Sequence, residues 1–148
     1  MSWRALTRDF ASWLPVGVIP IVNGAIRLLV YGRWVGEPLA SIVSSALDVS
    51  LVLAYAGLVQ RRSPVTTRSA AARRGLLWIA LTTSNHFGLG AFVFGISLGA
   101  LLAKYDLFRG ELWLLVSLAI FAAPALAMWR AGSGGHHRCP DPSSWRAS

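Results

Sequence analysis

The chain has one cysteine, Cys139, so an intramolecular disulfide is excluded. Charge is scarce: only 14% of its 148 residues are Asp, Glu, Lys or Arg, against roughly 25% in a soluble domain. Acidic groups are scarcer still, six against fourteen Arg and Lys. No G-x-S-x-G, P-loop, H-E-x-x-H or paired C-x-x-C occurs, so no nucleophile–base or phosphate-cradling constellation is legible. Neither an enzymatic activity nor a cofactor is expected.

Apolar residues fill the space that charge leaves, at 55% of the chain with a mean hydropathy of +0.54. Four segments, about 11–31, 38–59, 75–97 and 111–129, are long enough as helices to cross roughly 30 Å of hydrocarbon. The expected fold is an all-α integral membrane protein whose four spans form two antiparallel hairpins over residues 1–130. The remainder, "AGSGGHHRCPDPSSWRAS", reads as a disordered tail over 131–148. The first segment holds Pro15, Pro20, Asn23 and Arg27 with no small-residue cleavage pattern, so it is expected to be retained.

The net charge of +8 is confined to a few places. Arg4 and Arg8, the five arginines of "QRRSPVTTRSAAARR", and the tail hold most of the basic residues. Basic residues in alternate loops follow the positive-inside rule, which places both termini and this linker in the cytoplasm. Arg61, Arg62, Arg68, Arg73 and Arg74 are expected to set topology and touch anionic headgroups. No aromatic-interleaved basic groove is present, so nucleic acid is not an expected partner. Trp13, Trp34, Trp78, Trp113 and Trp129 fall near segment ends, where interfacial aromatics belong.

The outer turns "YGRWVGE" and "YDLFRGE" share a pattern. Glu37 and Glu111 each stand where a carboxylate would cap a descending helix. Shared capping needs and chance account for this more simply than a duplicated hairpin.

Within the spans, "TTSNH" (82–86) is out of keeping with its apolar surroundings. Asn23 and Arg27 share a helix face, as do Thr82 and His86, while Ser41, Ser44, Ser45 and Asp48 form a stripe. Counting depth from the segment ends puts Asn23, Asp48 and His86 at one level. An ionised group is expensive in hydrocarbon unless paired. Asn23, Arg27, Ser44, Ser45, Asp48, Thr82, Asn85 and His86 are therefore expected to face inward as one intramembrane polar cluster. Two roles stay open: hydrogen-bonding glue between helices, or a proton or ion relay through Asp48 and His86.

Beyond this cluster, Ala91, Gly95 and Gly99 recur every four residues, a small-residue ridge expected to pack against another helix. Pro124 is expected to free a backbone carbonyl in the fourth span. "HHRC" (136–139) offers ligand atoms in the tail without a fourth partner, so no metal site is expected.

"NGAIR" (23–27), "GEPLASIVSS" (36–45) and "GAFVFGISLGALLAKYDLFRGELWLLV" (90–116) resemble an uncharacterised family of small bacterial multi-spanning inner-membrane proteins. Its pattern is Asn-Gly-x-x-Arg in helix one, a Ser pair in helix two, a Gly-rich helix three and Tyr-Asp with Gly-x-x-Trp. Asn23, Gly24, Arg27, Ser44, Ser45, Gly90, Gly95, Tyr105, Gly110 and Trp113 match it. Leu28 and His86 stand where such relatives carry acidic residues. If an acidic pair performs the family's task, the resemblance implies that this chain lost it or replaced it with Asp48 and His86.

The leading expectation is a non-enzymatic membrane component that contacts the lipid bilayer and assembles with itself or a larger complex. The alternative is a small proton- or ion-coupled transporter using Asp48 and His86, with an unknown small molecule or ion as substrate.

Overall fold

The computed structural model describes residues 3–109 and 111–133. His136, His137 and Cys139 of the tail, where no metal site is expected, lie outside these residues, as does Gly110. The chain is helical, with no strand among the described residues. Four stretches are long and apolar enough to cross a membrane: Trp3–Val35, Leu39–Arg62, Arg68–Val93 and Trp113–Gly132.

The first stretch comprises α1 (Trp3–Ile26), a π-helical turn (Arg27–Tyr31) and the short α2 (Gly32–Val35). Gly36, at φ 79°, makes the reversal into α3 (Glu37–Arg62). A positive φ is readily adopted only by glycine, and Pro38 in the first turn of α3 gives up an amide that no helical carbonyl would receive. Glu37 therefore opens a helix, as its pattern implied. Thr67 caps α4 (Arg68–Gly88), its hydroxyl accepting from the Ala70 amide at 3.2 Å. A π-helical turn (Leu89–Val93), a break, the short α5 (Leu98–Ala103) and a 3-10 turn (Leu107–Arg109) lead to α6 (Trp113–Ser133).

Two sequence expectations change here. The third span does not run to 97: its regular helix ends at Gly88, and Gly95 at φ 64° turns the chain back. Ala91, Gly95 and Gly99 consequently sit in a π-turn, a reversal and α5, and they form no helical ridge. The two look-alike turns also differ. Tyr31–Glu37 is a helix end with a one-glycine reversal, whereas 105–111 contains a 3-10 turn, and Glu111 precedes α6 rather than beginning it.

Packing follows the hairpin scheme. α1 contacts α3 and α4, and α6 contacts α3 and α4, so α3 and α4 stand diagonally across the bundle. The linker between them, 63–67, reaches roughly 17 Å when extended, enough to cross that diagonal. The core is formed by Val16, Val52, Ala56, Trp78, Val116, Ile120 and Ala123, all essentially inaccessible. Trp78 is thus a core residue and not an interfacial one: its ring stacks on Tyr55, and its Nε1 donates to Ser12 Oγ at 3.3 Å. Trp34 and Trp129 are outward, as interfacial aromatics would be.

Helices α4 and α6 meet closely at Gly75. A Cβ there would stand inside contact distance of the Phe121 carbonyl on α6. Overpacking of this kind typically destabilises by about 1–3 kcal/mol. Gly75→Ala should lower the unfolding free energy by about that amount, measured by thermal or denaturant unfolding in detergent. Gly57→Ala, where a Cβ meets nothing within 4 Å, should leave it unchanged or slightly raised.

Candidate functional sites

The eight residues expected to share one pocket are divided by the structure. Asn23, Ser44 and Asp48 are buried where α1 meets α3. The Asn23 amide donates to the Ser44 carbonyl at 2.8 Å and to Ser44 Oγ at 2.9 Å. A carbonyl can only accept, so this fixes the orientation of the Asn23 amide. Asp48 lies against the Asn23 side chain and within electrostatic reach of Arg27. Asn23 Oδ1 and Asp48 Oδ1 are buried without a hydrogen-bond partner among the described residues. Ser45, beside them on α3, is half-buried.

His86 has other neighbours. Its ring stacks on Trp113 at 4.6 Å and meets Tyr105 edge-on at 6.0 Å. Trp113 Nε1 donates to the Tyr105 hydroxyl at 2.8 Å, and Phe87 stacks on Tyr105. Lys104 pairs with Glu111 at 2.8 Å beside this group, so Glu111 serves as an ion-pair partner rather than as a helix cap. Together these contacts dock the 98–105 excursion against the end of α4, with Leu101 seated over Gly90.

The single pocket fails for two geometric reasons. His86 is on α4 and Asp48 on α3, the diagonal pair. Depth also differs, because α4 begins at Arg68 rather than Gly75. At 1.5 Å per residue, His86 stands roughly 27 Å along α4, whereas Asp48 stands roughly 21 Å from the linker end of α3.

"TTSNH" consequently does several things. Thr82 is buried, and its hydroxyl accepts from Trp13 Nε1 at 3.0 Å, tying α4 to α1. Ser84 points outward, Asn85 and Thr83 are half-buried, and His86 joins the aromatic group.

A site not singled out from the sequence lies at the arginine-rich end. Arg74 is almost wholly buried and bonds Asp9, with Nη2 at 2.8 Å and Nε at 2.9 Å from Oδ1. Its Nη1 donates to the Ser63 carbonyl at 2.9 Å. Arg73, half-exposed, reaches the other Asp9 oxygen at 3.6 Å. Gln60 braces the same linker, exchanging two hydrogen bonds with the Val65 backbone. Arg74 therefore holds the linker to α1 instead of reaching headgroups. The available signal was Asp9 itself, the sole carboxylate before Glu37 in a chain whose linker has five arginines.

No family model, curated protein or solved structure matches this chain. Among the described residues, no group of His, Cys, Asp or Glu is arranged to hold a metal ion.

Removing one member of a buried ion pair leaves an uncompensated charge, a loss of about 3–5 kcal/mol. Arg74→Met should destabilise by that order in detergent unfolding, and Arg73→Ala by less than about 1 kcal/mol. For the other site, a double-mutant cycle on Asn23→Ala and Ser44→Ala should give a coupling energy of about 0.6–1.7 kcal/mol. A coupling near zero would show that the Asn23–Ser44 bond does not join the helices.

Proposed function

We propose that this protein is a non-enzymatic component of a membrane assembly, joined to a second copy or a partner helix through the outer face of α4. The observation that carries this reading is an outward, in-register set of small residues inside a membrane-length helix. Ala80 and Ser84 are exposed, and a Cβ at Gly88 would meet nothing within 4 Å. Small residues four apart let two helix backbones approach closely in lipid, where packing and interhelical hydrogen bonds replace the hydrophobic effect. Ser84 supplies a hydroxyl on that face. This set takes the place of the Ala91/Gly95/Gly99 ridge. Concentration of arginine at one end of the bundle supports a cytoplasmic location for both termini, and the Asn23–Arg27 and Ser44–Ser45 patterns support kinship with small bacterial inner-membrane proteins.

The transporter reading rests on one observation of its own, the partnerless buried oxygens of Asn23 and Asp48. It no longer has His86 as Asp48's partner.

Both readings meet the same pair of variants. Ser84→Leu with Gly88→Leu should shift the protein to smaller species on native gels and abolish crosslinking between copies or to partners, while Asp48→Asn leaves assembly intact. An unchanged gel pattern for the α4 variant sinks the assembly reading. Loss of proton-coupled flux in vesicles with Asp48→Asn alone favours the transporter.

A further inference from the structure

Beyond Gly88 the third stretch leaves regular helix, and from Ala91 to Ala100 every residue is exposed. Several are large and apolar: Phe92 is 92% exposed, Phe94 66% and Leu98 61%. Contiguous apolar surface of this kind marks an interaction site. No Asp, Glu, Lys or Arg occurs from Gly75 to Ala103.

The depth of this segment follows from α1, which runs in the same direction as α4. Three contacts between them, Asp9–Arg74, Ser12–Trp78 and Trp13–Thr82, join residues 65, 66 and 69 apart. By that offset Phe94 stands level with about residues 25–29 of the first stretch. There Ala25, Ile26, Leu28 and Leu29 form an exposed apolar surface, and the next exposed charge, Arg33, comes further out. The chain then folds back: Gly95 at φ 64° makes the reversal, Leu101 of α5 seats over Gly90, and Tyr105 reaches Phe87 and His86. The Phe94 amide donates to the Leu89 carbonyl at 3.0 Å and the Ile96 amide to the Gly90 carbonyl at 2.8 Å. Ser97 Oγ accepts from the Ala100 amide at 3.3 Å. Backbone that meets its hydrogen-bonding needs internally can lie where water is scarce. Lys104, the first charge after the reversal, is paired with Glu111.

We infer that residues 91–103 form a re-entrant hairpin embedded in the lipid leaflet farther from the arginine-rich end. It lies at the boundary of headgroups and acyl chains, with Phe92, Phe94, Leu98 and Leu102 facing lipid. Its apolar surface is continuous with that of the four spans, and apolar area buried at this boundary holds it there. The membrane thus extends past the point where the third helix ends. Neither the α4 contact nor Asp48 enters, so failure of either functional reading leaves this placement standing.

The test places the full chain, carrying Cys139→Ser, in phosphatidylcholine nanodiscs. Single cysteines introduced as Phe92→Cys, Phe94→Cys and Leu98→Cys are spin-labelled, three sites guarding against a fold defect at any one. Collision with oxygen, which concentrates in lipid, is compared with collision with a water-soluble nickel chelate. Thr66→Cys in the linker supplies the aqueous reference, and Leu51→Cys in α3 the lipid one. At all three sites nickel access should be less than about one third of the Thr66 value, with oxygen access near that at Leu51. Phe92→Lys with Phe94→Lys should raise nickel access at Leu98→Cys by about 3-fold, because charge draws the hairpin toward water. Nickel access equal to the Thr66 value at the three sites would make the segment an aqueous loop and overturn the placement. Low access to both reagents would mean that protein covers the patch and would overturn it too, dipolar broadening between labels identifying that protein as a second copy.

Discussion

The ion pair between Asp9 and Arg74 is the contact on which the arrangement of the other helices depends. Both side chains are nearly inaccessible, so neither charge can be left alone without the full desolvation penalty. Asp9 belongs to α1 and Arg74 to α4, and the guanidinium also holds Ser63 in the linker. One side chain therefore sets where α1 enters, where the linker crosses and where α4 begins. Gly75, where α4 meets α6 closely, is the next residue along, so the same contact places that crossing.

From that anchor the bundle is organised by polar contacts spaced along its length. Ser12 takes the Trp78 N–H and gives its carbonyl to the Tyr55 hydroxyl, joining α1 to α3 and α4. Trp13 reaches Thr82, and Asn23 reaches Ser44. Water is absent from the hydrocarbon region, so each such group finds its partner on a neighbouring helix. At the far end the His86, Tyr105 and Trp113 rings close the structure, where the chain has left regular helix and side chains must hold it.

Small residues are used for opposite purposes in different places. Gly75 permits contact, whereas Gly57 and Gly88 leave space that something outside the described bundle can fill. The proposed α4 contact rests on that distinction. It does not follow from glycine spacing alone, since Ala91, Gly95 and Gly99 are regularly spaced and do not share a helix.

The four spans were legible because hydrophobic length is a local property, as was the capping geometry at Pro38. The Asn23–Ser44 level was legible too, since α1 and α3 are joined by one short reversal and depth could be counted from it. Depth failed for His86 because α4 starts within the arginine linker, where Arg68 and Arg73 read as loop while Arg74 is buried by its pairing with Asp9. The sequence by itself determined that the chain crosses a membrane four times and which side chains could not face lipid unpaired. Only the tertiary structure decided which partners they took. Partner choice depends on which helices are adjacent and which diagonal, and that follows from the Asp9–Arg74 pair and the Gly75 contact, between segments that hydropathy treats as independent.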